Sequence, residues 1–476
     1  MNLIKYLGTY MKSSTGWVIV VSILLTSHAT YAEVSTPNQR VLTLEEAVSA
    51  AMAIDPWLKS NKHSQEALEN ESISARELPD PQLAINVANL PTDTFDINQE
   101  GMTQFKFELK QMFPAGDSLA LKGQQLMTLA GQHPYQRANR KAKVTVMVSL
   151  LWLEAYKAQA SAELIHKNHN LFEQMEGIAA SSYSAAMGRT RQQDVIRAQV
   201  ELTRLNDRLT KLSQMKDMAT QRLSEWVTVP EEWEMSAINS NPLISVQLPA
   251  QLPNIPLHVP AWFESSDLVS YGKLVEAIQA HPAILAMDQQ IKAHDQGIEL
   301  AKQKYKPSWG VGVGYALRDD DPMGNNRADL FSVGVNFDLP FFTKNRQDQG
   351  VKAAVSKTEA MKAERLLMMR GMIASFGTQK SQLARLTERQ RTYRDLLLPQ
   401  MAEQADASLT AYTHDDGDFA EVVRSRIAVL NAEIEALDID VEKQKSIAQL
   451  NYFFQSGQSS ELNQLPGNDV EFRSQL

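Results

Sequence analysis

The chain has 476 residues, no cysteine, and 47 Lys and Arg against 56 Asp and Glu, a formal net charge of −9. That length allows two or three ordinary domains, and the acidic balance argues against a nucleic-acid footprint. The missing thiols exclude disulfides, thiolate metal sites, cysteine catalysis and lipid attachment at a bacterial lipobox.

The amino terminus reads as a secretory signal. Lys5 and Lys12 supply positive charge, Trp17 to Thr26 (WVIVVSILLT) is a short apolar core, and Thr30-Tyr31-Ala32 offers small residues for cleavage before Glu33. The apolar run is well short of the ~20 residues of a membrane helix, and no later run is long enough to replace it. The mature chain is therefore expected either to be soluble and exported or to cross a membrane as strands.

Thr43 to Leu78 predicts a helix broken or kinked at Pro56. Gln82 to Ala88 (QLAINVA) then alternates Leu83, Ile85 and Val87 with Gln82, Ala84 and Asn86, a strand period. After a polar loop, Phe105 to Leu109 (FKFEL) alternates Phe105, Phe107 and Leu109 with Lys106 and Glu108, the return strand of a hairpin. Ser118 to Met187 predicts a helix of about 100 Å at ~1.5 Å per residue, with Gly131 and Pro134 bending it. A turn (MGRTRQQ) and a return helix, Asp194 to Trp226, follow. Pro230, Pro242, Pro249, Pro253, Pro256 and Pro260 then mark an extended linker, because so many prolines fit neither a helix interior nor a central strand.

The same series then repeats. A helix spans Leu268 to Lys306, strands span Gly310 to Ala316 and Phe331 to Asp338, a long helix spans Lys344 to Thr413, and a return helix spans Phe419 to Phe454. Pro56, Pro81 and Pro114 recur as Pro282, Pro307 and Pro340, each 226 positions on. A period this long is duplication of a domain-sized unit. The expected organisation is a signal peptide over 1–32, a first repeat over 33–229, a linker over 230–266, a second repeat over 267–456 and a tail over 457–476.

These parts make two demands. Helices of about 100 Å need partners along their length, so coiled-coil packing is expected. An isolated hairpin is marginal in water, but strands with one apolar and one polar or small face suit a membrane barrel, which must close to satisfy its edges. One chain offers four strands and the smallest common barrels need about eight, so several chains would share one. A hairpin packed against the helices in water is the alternative.

The pieces LTLEEAVSAA, HPAILAMDQQIKAHDQGIELAKQKYKPSW, FSVGVNFDLPFF and DVIRAQVEL, in this order and in two copies, resemble the outer-membrane efflux protein (TolC-like) family over essentially the whole mature chain. The resemblance implies a mainly α fold with a membrane β-barrel contribution: internally duplicated long-helix and hairpin units form, in a homotrimer, an α-helical barrel and a twelve-stranded β-barrel. It also implies an outer-membrane location in a Gram-negative bacterium with a long periplasmic part. The implied partners are a periplasmic adaptor (membrane fusion) protein, an inner-membrane resistance-nodulation-division pump and outer-membrane lipid. ELPDPQL, NLPTDTFDINQEGMTQ and QMFPAGDSL look closest to the heavy-metal (CusC/CzcC-like) branch. A drug or type I protein-secretion duct, or a non-conducting trimeric coiled-coil surface protein, are the competing functions.

By the same resemblance, acidic side chains near the helical turns would narrow the periplasmic entrance and set its charge. The matching positions are Asp194 and Glu421, with Asp415, Asp416 and Asp418 close by, and rings of carboxylates select cations. Asp194 and Asp418 also read as helix N-caps. Arg197 and Arg424 follow the acids by three residues, either pairing across helices to hold the entrance shut or forming ordinary i,i+3 pairs. Gly188, Arg189 and Gly417 fall in the adaptor-docking turns. Asp319, Asp320 and Asp321 read as an acidic outer mouth or a solvated loop. His166 and His169, lacking a third ligand, read as a solvated helix face, and Met368, Met369 and Met372 as core. Gly310, Gly312 and Gly314 alternate on a strand and are not a phosphate loop. No nucleophile–base–acid arrangement is present, so no enzyme activity, cofactor or resident metal is expected.

Overall fold

The structure is a computed structural model that describes residues 41–184, 192–227, 247–260, 263, 268–414 and 417–455. The expected signal segment, Gly188, Arg189, Asp415 and Asp416 lie outside the described residues.

Helices α1 (Leu44–Ile54) and α2 (Pro56–Ser74) are separated by Asp55 alone. Thr43 and Glu46 form a reciprocal capping box that starts α1. The Asp55 carboxylate accepts from the Trp57 N–H, and Pro56 takes the first position of α2, where its missing N–H costs nothing. Strands β1 (Gln82–Ala88) and β2 (Gln104–Phe113) form the first hairpin. The long helix expected next is interrupted rather than bent. Helix α3 (Ser118–Ala130) stops at Gly131, and α4 (His133–Ser184) begins two residues later with Pro134 in its first turn. A proline there cannot donate to the preceding turn, so the hydrogen-bond ladder restarts instead of curving. Helix α5 (Gln192–Val227) runs back.

The second half repeats these devices. Helix α6 (Leu268–Gln279) precedes α7 (Pro282–Gln303), with His281 as cap and Pro282 first. Strands β3 (Ser308–Leu317) and β4 (Leu330–Asp338) follow. Helix α8 (Gln347–Thr392) continues through a π-turn at Tyr393–Leu397 into α9 (Leu398–Thr413), and α10 (Phe419–Phe453) returns. The π-turn lies directly before Pro399, whose ring obstructs a regular turn. There the Leu398 N–H bonds five residues back to the Tyr393 carbonyl. The paired prolines thus mark boundaries in both halves. Pro81 and Pro307 immediately precede β1 and β3, Pro114 immediately follows β2, and Pro340 follows β4 after Leu339.

The two hairpins join through β2 and β3 into one antiparallel sheet of order β1-β2-β3-β4. The helices attached to the strands keep that order: α2 packs on α3, α3 on α7, and α7 on α8. The corner from β2 into α3 is tight. Gly116 has φ +51°, and a Cβ there would lie 2.3 Å from Cδ of Lys306. Beside it Asp117 pairs with Lys306 at 2.9 Å.

Below, α4 packs along α5, and α10 lies against α4, α8 and α9. One core joins α1, α4, α5 and α10 around Trp152, Leu153, Leu223 and Val441. A second joins Ile165, Phe172, Leu205, Val422 and Leu430. A third holds Ile278, Ile284, Met369, Met372 and Phe376. Polar ties cross the same interfaces. Lys445 reaches Glu154 at 2.7 Å and Glu442 at 2.8 Å, and Arg394 reaches Asp440 at 2.6 Å.

The described linker, 247–260, is extended along these helices. Its prolines keep it out of a regular ladder, so its carbonyls accept from helix side chains. Gln159 donates to the Leu248 carbonyl, Tyr156 to that of Ala250, and Asn451 to that of Pro256.

Candidate duct wall and entrance

The register sorts the sheet into two faces. Leu83, Leu109, Val313 and Val333 line up across the four strands, as do Ile85, Phe107, Tyr315 and Phe331. Among the described residues nothing covers this apolar face: Phe331, Val333 and Phe337 are 69%, 63% and 61% exposed. Apolar area of this extent needs an apolar neighbour, and lipid supplies one. At the helix-side end Phe113, Trp309 and Phe337 form a row, with Phe113 and Trp309 stacked at 4.1 Å. Phe341 and Phe342 stand exposed just beyond. Aromatic rows at this height suit a membrane interface.

The other face is polar or bare. It carries Gln82, Ala84 and Asn86 from β1, and Lys106, Glu108 and Lys110 from β2. Strand β3 adds Gly310, Gly312 and Gly314, and β4 adds Ser332, Gly334, Asn336 and Asp338. Lys106 pairs with Glu108 at 2.8 Å. Among the described residues β1 and β4 each pair on one side only, which leaves both sheet edges open.

At the outer end the two hairpin loops are tied together. Arg327 donates to the carbonyls of Asn98 and Glu100, and Arg318 to those of Gly101 and Ala328. The aspartate triplet is divided in use. Asp321 accepts from the N–H groups of Met323 and Asn325 and from the Asn325 amide. These bonds, the Asn325 side chain first, hold its carboxyl below the usual carboxylate range. The Asp319 carboxylate accepts from the Asp320 N–H, and both residues are exposed. Asp321 therefore shapes the loop, and Asp319 and Asp320 face solvent.

At the far end, Asp418 caps α10 by accepting from the Ala420 N–H at 3.2 Å. Asp194 lies within the described part of α5 and not ahead of it. It is the third described residue of α5 and is 4% exposed. Its carboxylate still lies in the first turn, where the helix dipole favours negative charge. Glu421 pairs with Arg424 on its own helix, the i,i+3 arrangement, and Arg197 is exposed. Gly417 makes a close approach: a Cβ there would lie 2.6 Å from the Tyr412 backbone nitrogen. His169 bonds Asn206 at 3.3 Å while His166 is exposed; Met369 and Met372 are core, but Met368, one residue round the helix, is 41% exposed and does not join them.

The glycine row of β3 beside the charged residues of β2 carried no role in the sequence reading. Its signal was there, in the Lys-Glu-Lys alternation of one strand and the Gly-Gly-Gly alternation of another. Only the register brings the two together.

No family model matches the chain, and no curated protein matches it in sequence. Solved structures match it closely in shape. The outer-membrane channel OprN superposes with a TM-score of 0.69 at 14% identity, covering 87% of this chain and 90% of that one. CusC, described with its transmembrane channel formation, gives 0.68 at 13% identity over 86% and 91%. The Campylobacter jejuni CmeC outer-membrane channel gives 0.69 at 12% identity over 88% of each chain. The chain thus has the fold of outer-membrane channels, which is the fold the TolC-like resemblance implied.

Proposed function

We propose that this protein is a TolC-like outer-membrane exit duct of a tripartite efflux system, conducting passively from the periplasm to the exterior. The observation that carries the reading is the four-stranded sheet, with its uncovered apolar face, polar opposite face and two open edges. Buried in lipid, open edges would leave backbone groups unsatisfied. Pairing β4 of one copy with β1 of the next removes them, and three copies make twelve strands. The helices keep the strand order, so the same closure would join α8 to the next copy's α2 and continue the duct downward. No described helix is long and apolar enough to cross a membrane, so the strands are the elements suited to do so.

In this reading the chain is exported after cleavage before Glu33 and sits in the outer membrane of a Gram-negative bacterium. Its helical turns around Gly188, Arg189 and Gly417 meet a periplasmic adaptor fed by a resistance-nodulation-division pump. Asp194, Glu421, Asp415, Asp416 and Asp418 give the entrance its negative charge, which favours cations. Heavy-metal cations are the proposed cargo, on the likeness of ELPDPQL and QMFPAGDSL to that branch. The test of the duct is reconstitution of the full-length protein into planar bilayers. Steady conductance from a folded trimer is expected, and its absence would overturn the reading. Deleting the gene tests the cargo: metal tolerance should fall, and unchanged tolerance with increased drug sensitivity would reject the metal assignment.

A further inference from the structure

The polar face of the sheet is unevenly furnished. Its long ionisable side chains sit on β2, and the neighbouring strand β3 offers only hydrogen opposite Glu108, Lys110 and Met112, while Lys106 faces Ala316 and leans diagonally over Gly314. In register, Glu108 faces Gly314, Lys110 faces Gly312 and Met112 faces Gly310. The β2 side chains occupy the space that β3 leaves empty. A Cβ on Gly314 would lie 3.1 Å from Cε of Lys106 and 2.6 Å from Oγ of Ser332. A Cβ on Gly312 would lie 3.5 Å from Oε1 of Glu108, and one on Gly310 would lie 2.6 Å from Sδ of Met112. Lys106 and Glu108 therefore lie along the wall as a paired couple at 2.8 Å instead of projecting from it. Gly334, on the same face, differs: a Cβ there meets nothing within 4 Å.

We propose that the β3 glycines are a seat that sets the bore and charge of the barrel, by holding the Lys106–Glu108 pair flat and mutually neutralised against the wall. The proposal rests on the duct reading, since it takes the polar face as the lumen. A three-fold barrel would carry three such pairs. Seated, opposite charges side by side present little net field to a passing ion. Unseated, Lys106 would extend into the bore as an uncompensated cation, narrowing it and repelling cations. Bulk on β3 would therefore act through Lys106, whereas bulk on Gly334 would act only through its own volume.

Single-channel recording with the full-length protein, under a KCl gradient, tests this. Gly314→Val should lower the conductance and move the reversal potential toward that of chloride. Gly334→Val, adding the same side chain on the same face, should leave the reversal potential at the wild-type value. Adding Lys106→Ala to Gly314→Val should abolish the shift toward chloride. Lys106→Met, which disturbs no backbone contact, should move the reversal potential toward potassium by removing one positive charge from the face and leaving Glu108 only Lys110 beside it, and it serves if Gly314→Val fails to insert. Equal reversal potentials for wild type and Lys106→Met, or equal shifts for Gly314→Val and Gly334→Val, would overturn the seat. Absence of any wild-type conductance would instead remove the duct reading itself.

Discussion

His281 couples pH to stability through one buried ring. The residue is fully buried at the start of α7. Its Nδ1 accepts from the Ala283 N–H at 3.2 Å, so the hydrogen resides on Nε2, which donates to the Tyr452 carbonyl at 3.0 Å. Burial pushes its pKa down from 6.5 to about 4, against the opposing pull of the Tyr452 carbonyl. As pH falls below 6.5 the unfolded chain takes up a proton that the folded chain refuses until near pH 4. Stability contributed by the neutral ring is thus present above 6.5 and lost on acidification across that window. A difference of this size corresponds to about 3 kcal/mol per chain. Protonation would also put hydrogen on Nδ1 and break the cap. His281→Asn keeps an oxygen to cap α7 but cannot titrate. Its neutral-pH stability should fall by ~1–3 kcal/mol through the lost bond to Tyr452, while its stability between pH 6.5 and 4 should decline less steeply than wild type. Denaturant titrations in detergent at several pH values read both quantities. The carboxylates common to both proteins cancel in the comparison, so parallel curves would refute the reasoning.

Val333→Lys places a charge in the middle of the apolar sheet face and should cost ~2–4 kcal/mol of membrane insertion, measured as loss of heat-resistant trimer in the membrane fraction. Gly417→Ala forces a Cβ against the Tyr412 backbone. It should disturb the turn alone, lowering adaptor cross-linking while trimer assembly stays intact. Asp418→Ala removes the α10 cap and should cost about 1 kcal/mol, read as faster proteolysis at the turn. Glu421→Gln leaves Arg424 without its partner and should reduce cation preference in bilayer recordings.

The boundaries of the elements were open to reading along the chain because their causes are local. Pro56 and Pro282 start helices, Pro81 and Pro307 separate helical from strand periods, and alternation of Leu83, Ile85 and Val87 fixes which face is apolar. Where several local forces compete, reading by pattern fails. Gly131 and Pro134 suggested a bend and produced a break. The π-turn before Pro399 shifts the helical phase by one residue, which no simple period announces. The entrance was legible only in part: Asp418 caps α10 as its type and position suggest, and Glu421 pairs with Arg424 at the spacing its sequence offers.

By itself, then, the sequence determined the order of helical and strand segments, the proline recurrence, and the two-faced character of each strand, since propensity, proline geometry and period act over a few residues. Tertiary structure decided what lies next to what. The pairing of β2 with β3, which merges two hairpins into one sheet and lays Lys106 over Gly314, depends on contacts some 200 residues apart. So does the burial of His281 beneath Tyr452, whose desolvation has no local signature. Register and burial are properties of packing across the chain, and packing is where the wall of this protein acquires its charge.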